Sequence, residues 1–371
     1  MIAHRLIPFL GLLFMGGVCN PTLIKKDPRL GDIMLPPGLQ ITVWADSVTN
    51  ARGMSLGPDG TVYVGSRDEG SVRALRDTDQ DGYADVQYTV ATDLEMPVGV
   101  AYHDGDLYVS AVGRIVKLPA IADHLTDPPA PITVFDGFPK ETHHGWKYIA
   151  FGPDGKLYVP VGAPCNICLS EDSIFATITR LNPDGTGLEI IAHGVRNSVG
   201  FDWDPADGSL WFTENGRDWM GNDLPSCELD HLTEVGQHFG FPFCHQGDTL
   251  DPEFGKGHAC GDYVAPKAKL GPHVAPLGMK FYRGKAFPPK YHGAMIIAEH
   301  GSWNRDTPIG YKLTAAFKQP DGSVTTEVFA EGWLKGKSAW GRPVDLLELP
   351  DGSLLVSDDS ADLIYRISTA R

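Results

Sequence analysis

Arginine, histidine and asparagine side chains recur at one position relative to a repeated sequence pattern. Each lies a few residues before a short apolar segment that leads into a glycine-containing turn. The residues at this position are Arg52, His144, Arg196, Asn197 and Arg342. Cationic and amide groups gathered around one channel would suit a small polyanionic ligand. The sequence therefore predicts a binding site that is assembled from distant parts of the chain.

A separate acidic segment has the spacing of a calcium-binding loop. Asp77, Asp79 and Asp81 alternate along the chain, a glycine follows at the sixth position, and Asp85 closes the segment. Alternating carboxylates with glycine at that position begin a Ca²⁺ loop, although Tyr88 stands where the final acidic ligand is usual. Two interpretations stay open, a structural calcium site and an acidic surface turn between strands.

The composition excludes some classes of function. The chain has 31 basic and 47 acidic residues, a net charge of −16. No cluster of Lys and Arg is visible, so we expect neither a nucleic-acid partner nor an anionic membrane surface. The 43 glycines and 29 prolines indicate many turns, and the 42% hydrophobic content indicates a packed core.

The N-terminus is typical of an exported protein. Residues 6–18 form a short apolar run behind His4 and Arg5, as in a secretory signal peptide. We therefore predict a signal peptide over residues 1–19 and a periplasmic or secreted protein. Cys19 follows the run at once, so a lipoprotein anchor there is an alternative, although Val18 is not the small residue usual before such a cysteine. A retained membrane anchor is a further alternative.

The remaining cysteines suit an oxidising compartment, where disulfides persist. Cys244 and Cys260 flank a loop rich in Gly, Asp and Pro, and we expect them to pair. Cys165 and Cys168 are spaced for a tight local bridge, which leaves Cys227 over. No histidine follows the CxxC segment, so it is not a c-type haem attachment site.

One pattern of two apolar strands around a turn recurs six times. Its turn glycines are Gly60, Gly105, Gly155, Gly208, Gly293 and Gly352. Asp-Gly between alternating apolar residues indicates hairpins, and repeats of ~40–50 residues indicate propeller blades. We predict an all-β, six-bladed β-propeller over residues 35–370 as a single domain, in preference to two β-sandwiches. The long fourth interval predicts an insertion at about residues 216–272, in the fourth-to-fifth blade region.

The repeat also predicts how the polar residues meet. Residues 40–46 and 363–369 read as strands that would share one sheet and close the ring, which removes exposed edges. Within each hairpin, the start of the first strand and the end of the second lie at the same end. Residues at these positions should therefore converge on one face around the central channel.

The segments around these positions resemble a known family. They read HHGWKYIAFGPDGKLYV, HGVRNSVGF, TENGRDWMGNDLP, HFGFPFCH, HGSWNR and GRPVDLLELPDGSLLVSDD. Over about residues 35–370 the chain is similar to the pyrroloquinoline quinone (PQQ)-dependent soluble sugar dehydrogenases, near their sorbosone/pyranose branch. The resemblance implies a six-bladed propeller, in agreement with the repeat count. It also implies oxidation of a sugar or related hydroxyl or aldehyde by hydride transfer to PQQ, with Ca²⁺ as a second cofactor.

The resemblance implies roles for the residues named first. His144 would be the catalytic general base, for which an imidazole suits because its ordinary pKa lies near the operating pH; His143 is the main competitor. Arg196 and Asn197 would lie at the quinone oxygens, where Arg stabilises developing negative charge. Arg342 would pair with a PQQ carboxylate through its guanidinium fork.

Other cofactor contacts match less closely. Arg305, in the HGSWNR segment, is a looser match to a family cation. Arg52 shares the channel position by repeat geometry alone. Trp303 or Trp219 would stack on the planar cofactor, with simple core packing as the alternative.

The resemblance also locates an active-site calcium. Glu214–Arg217 matches the family loop whose backbone carbonyls bind Ca²⁺, so the carbonyls of Gly216 and Arg217 would be ligands. The family often has Pro where this chain has Arg217, but a carbonyl ligand does not depend on its side chain. Asp223 and Glu228 resemble acids that brace the loop.

Neither a haem motif nor a second redox domain is visible in the sequence, so electrons would pass to an external acceptor, a quinone or a cytochrome. Two other functions stay open. One is a calcium-dependent propeller hydrolase of the lactonase type, and the other is a non-catalytic carbohydrate-binding propeller. Such hydrolases ring their metal with Asp, Glu and Asn, whereas the channel positions here are richer in Arg and His. That difference favours a carboxylated cofactor.

Overall fold

The computed structural model describes residues 27–370. The predicted signal peptide at 1–19 and the alternative lipid anchor at Cys19 lie outside the described residues and stay predictions. Within this range the chain forms β-strands and four short 3₁₀-helices, at Pro28–Asp32, Ile121–Asp123, Cys260–Asp262 and Pro289–Tyr291. No helix in the described part of the chain is long and apolar enough to cross a membrane.

Six antiparallel sheets form the blades of a propeller, which confirms the predicted fold. Their strands run in chain order from the channel outward in blades 1 to 5. Blade 1 comprises Ala51–Leu56, Val62–Ser66, Val72–Arg76 and Val86–Ala91, blade 2 comprises Val100–His103, Asp106–Ala111, Arg114–Leu118 and Ile132–Phe135, and blade 3 comprises Ala150–Phe151, Leu157–Val161, Thr177–Leu181 and Glu189–His193. Blade 4 comprises Phe201–Trp203, Leu210–Glu214, Ser226–Leu232 and Ala268–Pro272, blade 5 comprises Pro276–Phe281, Met295–Glu299, Lys312–Lys318 and Val324–Glu331, and blade 6 comprises Pro343–Glu348, Leu354–Asp358, Leu363–Thr369 and Leu39–Asp46.

The two ends of the described chain close the ring, as the sequence predicted. Leu39–Asp46 pairs antiparallel with Leu363–Thr369, with Ile41 opposite Ile367 and a bulge between Val43 and Ala45. This pairing places the first strand of the propeller at the outer edge of its last blade. The ring is therefore held shut by main-chain hydrogen bonds between distant parts of the sequence.

The long fourth interval holds more than an insertion. The predicted bounds 216–272 include two ordinary blade strands, Ser226–Leu232 and Ala268–Pro272, and the extra segment between them is 233–267. Within it, Gln237–His238 pairs parallel with Glu189–His193 and adds a fifth strand to blade 3.

The rest of that segment is a small hairpin beside the propeller. Its strands are Cys244–His245 and Thr249–Leu250, and the predicted Cys244–Cys260 disulfide closes it. A second small hairpin, Leu334–Lys335 with Ser338–Ala339, precedes blade 6. Sequence periodicity cannot separate such short strands from the surrounding turns.

The core consists of apolar layers between adjacent blades. Each of the six interfaces has its own buried cluster, such as Tyr63 and Val109 between blades 1 and 2, or Phe212 and Ile178 between blades 4 and 3. The second strand of a blade is covered on both faces, and Val62–Ser66 is buried along its whole length. This double burial explains why the second strand of every repeat reads as a continuous apolar run.

The channel is narrow because the innermost strands approach each other closely. A Cβ added at Gly99 would lie 2.3 Å from the carbonyl oxygen of Lys147, and one at Gly200 would lie 2.1 Å from that of Leu277. Only glycine fits such a contact, since both backbones are held by their sheets. The space for a ligand therefore lies at the end of the channel.

Candidate active site

A cavity of about 310 Å³ opens at the channel end where the first strands of the blades begin. It collects most of the predicted site residues. Those that line it are Arg52, His144, Arg196, Asn197, Gly216, Trp303 and Arg342. The convergence follows from propeller geometry, because equivalent positions of each repeat face the same end of one channel.

His144 is buried in the wall of this cavity, and its tautomer is set by one contact. Its Nδ1 lies 2.8 Å from the carbonyl oxygen of Ala163. A carbonyl only accepts, so Nδ1 carries the hydrogen and Nε2 keeps its lone pair. Burial lowers the pKa of His144 well below its usual value, and the charges of Arg196 and His143 add to this. The ring is therefore a neutral acceptor at pH 7, whereas His143 is exposed and does not line the cavity.

The backbone around His144 is closely packed. His144 has a φ of 50°, in the left-handed region, which side chains adopt at a cost. Gly162 lies against it, and a Cβ there would be 2.6 Å from His144 Cβ and 3.3 Å from Asn197 Oδ1. The glycine therefore makes room for two of the cavity side chains at once.

Arg196 is buried and is held by oxygens of neutral groups. Its Nε donates to the Asn166 carbonyl at 2.8 Å, its Nη2 to Asn166 Oδ1 at 2.9 Å, and its Nη1 to the Asn215 carbonyl at 3.1 Å. The nearest carboxylate is Asp218, at 3.6 Å. Burial lowers the pKa of Arg196 from its usual value, and Asp218 opposes that shift. The guanidinium is thus oriented without a close counter-ion.

Two further arginines lie across the cavity. Arg52 pairs with Asp359 at 2.8 Å, and Asp359 also contacts His300 Nε2 at 2.8 Å. Arg342 donates to the carbonyls of His300 and Gly301 at 3.0 and 2.9 Å. Burial alone would raise the pKa of Asp359, but Arg52 and His300 outweigh it and hold that pKa below its usual range. Burial also lowers the pKa of His300 to about 4.

The cavity carries an excess of positive charge. Four arginines line it, Arg67 in addition to those above, whereas Asp218 is the one carboxylate among its lining residues. Asp359 and Asp68 pair with Arg52 and Arg67 from outside the lining. The Nε atoms of Arg52 and Arg67 are buried with no hydrogen-bond partner among the described residues. Buried donors of this kind are normally satisfied, so they point to an acceptor-rich ligand. The donor set fits an anionic molecule that carries carboxylates.

Sequence reasoning missed several residues of the cavity. Arg67, whose guanidinium lies 4.3 Å from the ring centre of Trp146, directly follows the second strand of blade 1, and His300 directly follows that of blade 5. The positional rule that found the others would have found these two. Trp146 and His273 lie four and three residues before the first strands of blades 3 and 5, so the same rule covers them as well. The Asp218 carboxylate, 3.8 Å from His273 Nδ1, raises the pKa of His273, and His273 Nε2 contacts the Gly221 carbonyl at 2.8 Å.

Two predicted residues have side chains that lie outside the cavity. For Arg217 the predicted calcium ligand is the backbone carbonyl, which the position of the side chain does not test. Arg305 does not line the cavity; it pairs with Asp223 at 3.1 Å and donates to the Asn222 carbonyl. Arg217 is buried and pairs with Asp251 at 2.6 Å, so its side chain also lies outside the cavity. Both arginines are bound by acids of neighbouring loops, which a linear pattern does not reveal.

The acidic loop is only partly assembled as a cation site. Asp77, Asp79 and Asp85 bring carboxylate oxygens within 4.8 Å of one another. Asp81 is not part of this group, and it accepts a hydrogen bond from the Tyr83 backbone N–H at 2.8 Å. A structural calcium site at this loop stays a prediction.

The cysteine predictions are confirmed. Cys165 pairs with Cys168 and Cys244 with Cys260, while Cys227 is free and buried at the cavity. Burial raises the pKa of Cys227 to about 11, so its thiol is protonated at neutral pH.

Comparison with known proteins places this architecture in a family. The family model described as TrAA12-like matches residues 33–370. An uncharacterized protein of Borreliella burgdorferi is 34% identical over 361 residues, with 93% of each chain covered. A pyrroloquinoline quinone-dependent pyranose dehydrogenase of Coprinopsis cinerea is 31% identical over 125 residues, 28% of this chain and 16% of that enzyme.

The fold agrees with these sequence matches. The calcium structure of the Trichoderma reesei carbohydrate-active enzyme of family AA12 superposes with a TM-score of 0.80 at 20% identity, over 91% of this chain and 97% of that one. Since the family model covers nearly all of the described residues, the resemblance seen in the motifs is confirmed, and the chain belongs to the TrAA12-like family.

Proposed function

We propose that this chain is a PQQ- and calcium-dependent dehydrogenase that oxidises a sugar or a related hydroxyl or aldehyde substrate. One observation carries the proposal: the neutral, Ala163-bound imidazole of His144 shares its cavity with four arginines. A base beside a carboxylate-binding arginine cluster suits oxidation of an alcohol on an anionic cofactor. The names of its relatives, which include a PQQ-dependent pyranose dehydrogenase, support the same reaction class.

The residues present fit PQQ. Arg342, Arg52 and Arg67 would bind its carboxylates, the last two through Nε atoms that have no hydrogen-bond partner among the described residues. Arg196 and Asn197 would lie at its quinone oxygens, where the guanidinium favours negative charge. When bound, PQQ supplies the acceptor for the hydride that leaves the substrate carbon.

His144 would take the proton of the substrate hydroxyl at Nε2. The Ala163 carbonyl would then stabilise the imidazolium, because it already accepts the Nδ1 hydrogen. The lowered pKa of His144 keeps Nε2 free before the reaction begins, and the nearby Arg196 favours release of the proton afterwards.

The calcium site would use the loop at Gly216. Gly216 lines the cavity, and a Cβ there would lie 3.1 Å from the Ser226 carbonyl oxygen, so the loop is closely seated. Because the Arg217 side chain pairs with Asp251, only its carbonyl is proposed as a ligand, together with that of Gly216. Calcium bound there would act as a Lewis acid on an oxygen of the bound cofactor.

We further propose an exported protein, periplasmic or secreted, with a lipid anchor at Cys19 as the alternative. The apolar run at 6–18 and the two disulfides support this location. We propose that the electrons pass to an external acceptor, a quinone or a cytochrome, because the sequence contains no haem-attachment motif.

A titration of the purified apo-protein with PQQ, followed by absorbance with and without Ca²⁺, tests the proposal. Aldoses and a dye acceptor are then added in the same cuvette. We expect calcium-dependent binding and dye reduction, weaker PQQ binding in Arg342→Ala, and binding without turnover in His144→Ala. Arg180→Ala, whose side chain lies on the outer part of blade 3, is the control. A protein that binds no PQQ under either condition would contradict the proposal.

A further inference from the structure

The mouth of the cavity presents two exposed indole rings. Trp219 and Trp303 are each 66% exposed, whereas every other tryptophan of the described chain is buried or half-buried. Their ring centres are 5.4 Å apart, and the rings stand nearly perpendicular, at 86°. Exposed apolar groups that lie together beside a cavity are typical of ligand-binding sites.

The loops that carry these rings also form a depression next to the cavity. Segment 218–223 lines the cavity with Asp218, and segment 301–306 lines it with Gly301 and Trp303. Their later residues line a separate depression of about 280 Å³, whose walls are Trp219, Gly221, Asn222, Asn304, Arg305 and Asp306. The two spaces are therefore neighbours along the same pair of loops.

The depression is held in shape by hydrogen bonds between the loops. Trp219 N–H donates to Asn304 Oδ1 at 3.2 Å, and Asp306 N–H donates to Asn222 Oδ1 at 3.1 Å. Asn222 Nδ2 donates in turn to Asp306 Oδ2 at 2.9 Å. Arg305 is tied to the other loop through Asp223 at 3.1 Å, and its Nε is buried without a partner among the described residues. The depression thus exists before a ligand arrives.

This set of groups matches the chemistry of a pyranose ring. The C–H face of a sugar packs against an indole, while its hydroxyls bind amide, carboxylate and guanidinium groups at the ring edge. We propose that the depression is a second carbohydrate subsite, which makes the preferred substrate an oligosaccharide. Its terminal sugar would enter the cavity at His144, and the next sugar would pack against Trp219 and Trp303. The oxidation of the terminal sugar rests on the proposed function. The binding of the second sugar at the depression does not depend on it.

The test compares glucose, maltotetraose and cellotetraose. Binding to the apo-protein is followed by calorimetry, and kcat and KM are measured after loading with PQQ and Ca²⁺. For Trp219→Ala we expect at least one tetrasaccharide to bind about tenfold more weakly, and its KM to rise about fivefold or more beyond any change for glucose. Asp306→Ala should act in the same direction, and Met34→Ala, an equally exposed side chain on another face, is the control.

Each outcome separates the two proposals. Tetrasaccharide binding that Trp219→Ala weakens, without PQQ-dependent turnover, would keep the subsite and contradict the proposed reaction. If the wild type oxidises glucose and Trp219→Ala changes KM by the same factor for all three sugars, the proposed reaction is kept and the subsite is overturned. A wild-type protein that binds neither tetrasaccharide would also overturn it.

Discussion

Asn166 holds the guanidinium of Arg196 through two different oxygens, its backbone carbonyl and its side-chain Oδ1, at 2.8 and 2.9 Å. Asn166 lies inside the loop that the Cys165–Cys168 disulfide closes. Its Oδ1 also accepts the backbone N–H of Asp218 at 2.8 Å. A covalently closed four-residue loop therefore orients the buried arginine and anchors the start of the loop at 218.

The two disulfides should differ in what they support. Replacing Cys165 and Cys168 together by serine should lower kcat about tenfold. Arg196 then loses the fixed position of its two Asn166 acceptors, whose hydrogen bonds stabilise its orientation by ~1.4 kcal/mol or more. Removing this disulfide should lower the melting temperature less than removing Cys244–Cys260 does, because a disulfide that closes a short loop restricts the unfolded chain less.

Removing Cys244–Cys260 is the matched control. That disulfide closes a longer loop, and it is expected to stabilise the folded protein by ~3 kcal/mol. It lies outside the cavity. Melting curves and initial rates of both double variants check the contrast. Equal losses of activity would show that the disulfide loop does not position Arg196.

His144 should stay neutral at pH values where an ordinary histidine is charged. Burial, Arg196 and His143 all lower the pKa of His144, so its base form is lost only when the pH falls well below 6.5. Ring ¹⁵N shifts of the apo-protein measure this directly. Arg196→Gln removes one positive charge and should move the titration to higher pH. A wild-type titration midpoint at 6.5 would contradict the burial argument.

Gly162→Ala should displace His144 while leaving the propeller folded. The added Cβ would meet His144 Cβ at 2.6 Å, so one of the two segments must shift. We expect about 1–3 kcal/mol of destabilisation and a fall in kcat of more than tenfold. Gly31→Ala, which meets nothing within 4 Å, is the control for an alanine in place of glycine. Unchanged turnover in Gly162→Ala would mean that the position of His144 does not limit the reaction.

Arg217→Met should destabilise the protein by about 3 kcal/mol, because it leaves the buried Asp251 carboxylate without its arginine. Burial would raise the pKa of Asp251, but hydrogen bonds from His245 and Arg217 lower it to about 2. The stabilisation is therefore complete above the usual pKa of 3.8 and is lost as the pH falls towards 2.

Urea unfolding of wild type and Arg217→Met between pH 7 and pH 2 measures this. The difference between them should narrow below about pH 4, as Asp251 becomes protonated. Arg180→Met, at a half-exposed ion pair, should cost less than ~1 kcal/mol and is the control. A pH-independent difference would contradict the linkage.

Calcium at the acidic loop should be structural and separable from the cavity. If Asp77, Asp79 and Asp85 bind Ca²⁺, the ion should raise the melting temperature of the protein without PQQ. Asp79→Asn with Asp85→Asn should abolish that rise and keep the calcium requirement of PQQ binding. A calcium-dependent rise that survives both substitutions would exclude the loop as its source.

The sequence by itself determined the fold and much of the cavity. Hairpins and apolar strands depend on local periodicity, which six repeats display plainly, and the ring follows once the second strand of each repeat must bury both faces. His144, Arg196 and Arg342 could be named because equivalent positions of a propeller repeat meet at one end of the channel.

Only the tertiary structure decided which loop groups belong to the site. Arg217 and Arg305 occupy loops beside the cavity, yet Asp251 and Asp223 bind them elsewhere. The role of Asn166 is visible only in the folded structure, where its backbone carbonyl accepts a hydrogen bond from Arg196 Nε. A loop side chain can pair with polar groups on several blades, and which pair forms depends on distances across the fold. A buried charge is stable only where a partner lies within hydrogen-bond or ion-pair distance.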